Sequence, residues 1–166
     1  MYSAGLFLLV FVPMILEARR SNRHDRVLRA AGAVEPRGDV YQAMQIAYPL
    51  SFLLPIAEGV MRARPASTIT ILGLTVFLLA KALKYWAIAT LGERWTFRVL
   101  VPPRSSPTVA GPYHFLRHPN YVAVAGEIAG VASAAQAWIT GPVMLIVFTL
   151  LMRARIRVEE QALAGR

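Results

Sequence analysis

The sequence predicts an all-α membrane protein, a bundle of about five helices that cross a bilayer, and three observations lead there. Apolar residues make up 56% of the chain and charged residues only 16%, where a soluble domain carries about a quarter charged. The mean hydropathy is +0.47. The basic residues stand between long apolar runs instead of along one polar face. A length of 166 residues allows a single domain, 1–166.

The first apolar run, 5–16, has no basic region before it, and an arginine cluster follows where a cleavage site would carry small residues. It therefore reads as a retained helix and not as a signal peptide. Residues 17–40 are polar and basic, with Arg19, Arg20, Arg23, Arg26, Arg29 and Arg37. Leu28, Ala31 and Val34 give a weak apolar stripe, which predicts a helix lying on the membrane surface. The second span is 41–61, with kinks expected at Pro49 and Pro55 where neighbours satisfy the freed carbonyls. A tight turn at 62–65 leads to a third span at 67–91. Residues 91–120 are rich in Gly, Pro and Arg and cannot span a bilayer. Beyond them, 121–135 and 139–152 predict two antiparallel helices joined near 136–138, short enough for a re-entrant or tilted hairpin. A charged helix, 153–163, ends the pattern.

Fourteen of the eighteen basic residues fall in 17–42, 91–120 and 153–166. The positive-inside rule then puts these three segments on the cytosolic side and the N-terminus outside. The net charge of +9 is explained by a basic juxtamembrane surface facing anionic lipid, which argues against nucleic acid as a partner. With no cysteine and only His24, His114 and His118, neither thiolate chemistry nor a metal site is expected.

Polar chemistry concentrates in four places. The segment from Gly111 to Tyr121 runs directly into an apolar helix, whose first N–H groups are free to bind an anion. Arg117 there offers a bidentate fork for a carboxylate, and His118 a neutral donor or acceptor. Tyr113 and Tyr121 can stack on a purine or hydrogen-bond a ribose. The same residues also suit an interfacial cap, with Arg snorkelling, Tyr in the aromatic belt and Pro119 starting the helix. Glu159 and Glu160 can hold ribose hydroxyls or an ammonium group, or can simply form a solvated face balancing nearby arginines. Arg98 can hold an anionic acceptor, while Trp95 and Phe97 beside it also fit as interface anchors. Glu127 lies inside an apolar helix, where a carboxylate is costly. It reads either as a base for a phenol or enol or as the partner of Lys81, Lys84 or Arg98.

In order, Gly-Pro-Tyr, Arg-His-Pro-Asn-Tyr, an apolar hairpin and Arg-x-Arg-x-Glu-Glu-x-x-Leu resemble the isoprenylcysteine carboxyl methyltransferase family over 91–163. The resemblance implies a cytosol-facing pocket for S-adenosylmethionine and a membrane tunnel for a lipid tail. It implies cofactor roles for Tyr113, His118, Pro119, Tyr121, Glu159 and Glu160, beside Arg117, and acceptor-clamping roles for Arg98 and Arg155. The family pattern usually continues past Glu-Glu with a Gly-x-x-Tyr-x-x-Tyr stretch, whereas this sequence stops at Arg166, so a shortened cofactor lid is expected. Arg-His-Pro-Asn-Tyr followed by Glu127, with Trp-Thr-Phe-Arg upstream, is similar to a bacterial branch that methylates hydroxyls of alkylated phenols or pyrones.

The expected activity is O-methyl transfer to an amphipathic acceptor, a phenol or pyrone hydroxyl being favoured over a prenylcysteine-type carboxylate. A carboxylate needs only the arginine clamp, whereas a hydroxyl benefits from a base, for which Glu127 is the candidate. Catalysis would rest on positioning an acceptor oxygen behind the activated methyl. The rivals are an NADPH-dependent membrane reductase, since sterol reductases share an Arg-His-Pro-Asn-Tyr-like element, and a non-catalytic membrane scaffold.

Overall fold

Long apolar runs with no polar alternation close their hydrogen bonds within their own segment, and each such run here is an α-helix. The computed structural model describes residues 2–36, 38–103 and 108–164; Arg37 of the basic segment lies outside them, as does the side chain of Leu163. The helices are α1 (Tyr2–Ala30), α2 (Tyr41–Met61), α3 (Thr68–Leu91), α4 (Pro119–Ala134) and α5 (Thr140–Ala164). Short 3₁₀ turns occupy Gly92–Arg94 and Gly111–His114. Among the described residues the only extended pairing is a single antiparallel bridge between Val34 and Val101.

Helices α2 and α3 are long and apolar enough to cross a membrane. Leu8, Ile15, Ile46, Leu72, Leu79 and Ile146 all point outward, an exposed apolar surface that a water-soluble monomer rarely carries. Helix α2 continues without a break through Pro49 and Pro55. Ser67 is the N-cap residue of α3, and its backbone N–H donates to Thr70 Oγ1 at 3.2 Å.

Two expectations are corrected. Residues 17–30 are not a separate surface helix but the second half of α1. The face that α1 buries there consists of Glu17, Ser21, His24, Asp25 and Leu28, spaced at the helical period, so the seam is polar where the sequence suggested an apolar stripe. Likewise 153–163 is not a distinct helix. It continues α5, because no glycine or proline interrupts the run from Val143 to Ala164.

The shortest helix, α4, is the central one: Ile128, Val131 and Ala134 are fully buried, and their neighbours in the core come from α1, α2, α3 and α5. Its closest partner is α3, and the approach depends on small residues. A Cβ added at Gly73 would stand 2.3 Å from the Ala134 backbone nitrogen and 2.6 Å from the Gly130 carbonyl oxygen. Since backbone cannot yield as a side chain tip can, Gly73→Ala should force α3 and α4 apart and cost on the order of 1–3 kcal/mol. The check is the thermal midpoint of detergent-purified protein: a clear drop is expected for Gly73→Ala and no change for Leu79→Ala on the outer surface.

Candidate active site at the basic end of the bundle

The polar half of α1 receives the chain that leaves α3. The Phe97 N–H donates to Ser21 Oγ at 2.7 Å, and His24 Nδ1 meets the Trp95 carbonyl at 2.8 Å. Trp95 is thereby buried. The segment after α1 closes over the same chain. Val34 and Val101 exchange backbone hydrogen bonds at 3.0 and 3.1 Å, and Asp39 accepts from the Val99 N–H at 3.2 Å. Arg98 lies over the Tyr41 ring and bonds Glu35 at 2.9 Å, with Asp25 at 3.4 Å. Burial alone would raise the Glu35 carboxyl, but hydrogen bonds from Arg29 and Arg98 outweigh it and hold the group below the usual carboxylate range.

Two cavities lie beneath this cover. The outer one, about 240 Å³, sits between residues 91–102, the turn at Gly111–His114 and the start of α4. The inner one, about 260 Å³, runs down between α1, α2, α4 and α5, lined by Met14, Met44, Tyr48, Pro49, Val124 and Phe148 among others. Thr96, Asn120, Tyr121 and Arg155 line both, so the two spaces share one wall.

Most of the residues singled out in the sequence meet at the outer cavity. Arg98, Tyr113, Arg117, His118, Tyr121, Arg155 and Glu159 all line it. His118 is the N-cap residue of α4, with its ring 5.5 Å from that of Tyr121. Glu159 and Glu160 reach from α5 toward the two nitrogens of His118, at 3.9 and 3.5 Å. Pro119 opens α4 and is buried behind the wall, and Glu160 is half exposed outside the cavity. The turn carrying Tyr113 fits because Gly111 takes φ +57; a Cβ there would lie 2.4 Å from Thr90 Oγ1. Burial raises the Tyr113 hydroxyl well above the usual phenol range, with the Glu159 charge adding to it, so the group stays a neutral donor.

The shared wall is a hydrogen-bond chain. Arg155 Nε donates to the Tyr121 hydroxyl at 3.1 Å, and that hydroxyl donates to Glu159 at 3.1 Å. Arg155 also faces Asp39 at 3.7 Å. Asn120 Oδ1 is buried and has no hydrogen-bond partner among the described residues. Sequence reasoning missed Asn120 and Thr96, although both stand inside quoted motifs, and missed Asp39, which comes from a distant segment.

Glu127 lies elsewhere. It is fully buried, lines neither cavity, and bridges Lys81 at 2.8 Å and Lys84 at 3.3 Å. Glu17 bridges the same two ammonium groups at 2.9 and 2.6 Å, closing a ring of four charges that sums to zero. Tyr48 completes it, donating to Glu127 at 2.8 Å and accepting from Lys84 at 2.7 Å. Of the partners that the sequence offered Glu127, the two lysines are the ones it has, and Arg98 pairs with acids of its own.

Residues 71–165 match the isoprenylcysteine carboxyl methyltransferase (ICMT) family, over half of the chain. The chain belongs to this family. ICMT-family proteins are membrane methyltransferases, and the two long apolar helices, α2 and α3, accord with that. Among similar proteins, the Bacillus subtilis (strain 168) protein YpbQ is 29% identical over 158 residues, covering 95% of this chain and 94% of its own. A Haemophilus influenzae protein is 27% identical over 145 residues, covering 87% of this chain and 84% of its own. Both carry the description "uncharacterized". The ICMT match takes in α4, α5 and most of α3, and so all of the outer cavity's motif residues, while α1 and α2 lie before it.

Two outcomes follow from the ion pairs. Glu127→Leu leaves a net buried cation and should cost on the order of 3–5 kcal/mol. Adding Lys81→Leu restores the balance and should recover much of the loss, a coupling read from thermal midpoints of both singles and the double. At the cover, Glu35→Gln fixes the protonated form of an acid whose folded-state pKa is depressed. The stability that Glu35 contributes is present above the usual carboxylate range and lost as pH falls through its lowered value. Amide exchange at Val34 and Val101 should therefore speed up in Glu35→Gln at neutral pH.

Proposed function

We propose that this protein transfers a methyl group from S-adenosylmethionine to an uncharged hydroxyl of a lipid-like acceptor, with the outer cavity taking the cofactor and the inner one the acceptor. The observation that carries this reading is the wall common to the two cavities at Thr96, Asn120, Tyr121 and Arg155. Methyl transfer is an in-line displacement, so its main requirement is a donor site and an acceptor site that meet.

The residues present suit the cofactor. Tyr113 and His118 offer rings to a purine, Arg117 a fork to a carboxylate, and Glu159 an acceptor for ribose hydroxyls or an ammonium group. The unpartnered Asn120 Oδ1 presents a carbonyl dipole that favours a positive sulfonium. Pro119 and Glu160 support the site from behind, Pro119 by starting α4 and Glu160 by facing His118. When bound, S-adenosylmethionine supplies a methyl group already activated on sulfur.

Charge selects the acceptor class. Arg98 and Arg155, the two arginines suited to clamp a carboxylate, already face Asp25, Glu35 and Asp39, and Lys84 faces Glu17 and Glu127. An ionised acceptor would have to displace an internal partner, whereas a phenol-like hydroxyl would not. Such a hydroxyl must give up its proton. The Tyr121 oxygen accepts it while the Tyr121 proton passes to Glu159, whose partly exposed carboxylate can release it to water. Arg155 steadies the oxygen left behind. Glu127, enclosed and held by two ammonium groups, is assigned the task of holding Tyr48 and Lys84 in position. In this reading the five helices lie in a bacterial cytoplasmic membrane, N-terminus outside and the outer cavity toward the cytosol, as the basic segments direct.

The test is equilibrium binding of S-adenosylmethionine to detergent-purified protein, with NADPH as control. Selective binding that weakens at least about tenfold in His118→Ala and Glu159→Ala is expected, the loss of one charge-assisted contact being worth that much. Binding of NADPH instead, or of neither ligand, would overturn the reading.

A further inference from the structure

Among the described residues two cations line the inner cavity, Lys84 and Arg155, and they differ in what they have left to offer. Lys84 is saturated, since its three protons face Tyr48, Glu127 and Glu17 within 3.3 Å. Arg155 is not. Its Nε–H donates to the Tyr121 hydroxyl at 3.1 Å, and Nη1 reaches the Met44 sulfur, a weak acceptor, at 3.8 Å. The acid that faces it is Asp39, with Nη1 and Oδ1 3.7 Å apart. Both side chains are buried, at 7% and 4% exposure. A guanidinium has five N–H donors, so most of the hydrogen-bonding capacity of Arg155 stays open among the described residues.

A separation of 3.7 Å divides two effects that usually come together. A hydrogen bond needs about 3.2 Å or less, whereas Coulomb attraction falls only in proportion to distance. Asp39 therefore offsets the charge of Arg155 without occupying its donors, and Asp39 Oδ1 itself has no hydrogen-bond partner among the described residues. The other oxygen of Asp39 fixes it there by accepting the Val99 N–H at 3.2 Å, near the bridge between Val34 and Val101. Asp39 lines neither cavity, so it acts on a ligand only through Arg155. The arginine at the wall can thus donate to a neutral oxygen but has no unbalanced charge for a carboxylate. Asp39 also stands before residues 71–165, in the part of the chain outside the family match.

From this geometry we propose that Asp39 is a specificity-determining residue: by neutralising Arg155 from behind the wall, it reserves the inner cavity for ligands with an uncharged polar head. The inference rests on the proposed function for the role of the inner cavity as the acceptor site. It assigns charge selection there to one side chain, and Asp39→Asn should reverse the selection. Without the carboxylate, Arg155 is a buried cation with open donors, and an ionised head group restores the balance. The new charge-assisted contact should strengthen binding of such a ligand at least about tenfold.

The experiment is equilibrium binding, without cofactor, of a long-chain fatty acid and of the alcohol with the same chain to the full chain in detergent, at a pH where the acid is ionised. The wild type is expected to bind the alcohol about tenfold more tightly, because the ionised head enters without a partner. Asp39→Asn is expected to reverse the order, with the acid gaining at least about tenfold. Removing both charges, Asp39→Asn with Arg155→Met, is expected to bring back the wild-type order. Asp39→Ala gives the same readout if Asp39→Asn fails to fold. A wild type that binds the acid as tightly as the alcohol overturns the proposal whatever the variants do. So does an Asp39→Asn protein that keeps the wild-type order or loses both ligands equally, and so does a reversal that persists without Arg155. A reversal in a protein that transfers no methyl group would support the role of Asp39 and fault only the methyltransferase reading.

Discussion

Two carboxylates and two ammonium groups buried among apolar helices must neutralise one another, and the rest of this structure depends on their doing so. Glu17 of α1, Lys81 and Lys84 of α3 and Glu127 of α4 each touch both partners of opposite sign. An isolated charge in such surroundings is so unfavourable that the four can be present only together. Their mutual contacts therefore fix the relative rotation and depth of three helices, and Tyr48 extends the constraint to α2. Ion pairs of this kind are weak evidence for stability and better evidence for a specified arrangement.

With those helices set, the position of the chemistry follows. Helix α4 is locked against α3 by glycine contacts below and by Glu127 above, so its first turn has one place to stand. That turn carries Asn120 and Tyr121 to the boundary between the two cavities. The continuation of α1 past the ring presents Ser21 and His24 to the chain leaving α3, which brings Thr96 to the same boundary. Helix α5 completes it with Arg155 and Glu159, one turn apart on a single face. The two cavities are thus joined through one polar seam in an apolar bundle.

Much of this was legible in the sequence, and the parts that were not share a cause. The ends of α2, α3 and α4 follow from runs of apolar residues broken by Pro65, Gly92 and the Gln136 turn, signals that need no tertiary context. The motif residues of the outer cavity were legible chiefly through the family resemblance that their order carries, and seven of the ten singled out do line it. The second half of α1 was not, because its buried face is made of Glu17, Ser21, His24 and Asp25, residues that read as solvent-facing until their partners are known. Asp39 and Tyr48 escaped for the same reason: each matters through a contact far away in sequence. Glu127 was legible as an anomaly, but only the closed ring shows why the α4 carboxylate is tolerated.

The central claim is that an uncharged hydroxyl in the inner cavity receives the methyl group, because the cations near the shared wall already have internal partners. The most direct measurement supplies purified protein in detergent with methyl-labelled S-adenosylmethionine and an equal mixture of an alkylphenol and a fatty acid of the same chain length. Label recovered as the aryl methyl ether, with the fatty acid unlabelled, is the predicted result. Label recovered as the fatty acid methyl ester, with the phenol untouched, would contradict the account by showing that the arginines exchange their partners for a carboxylate.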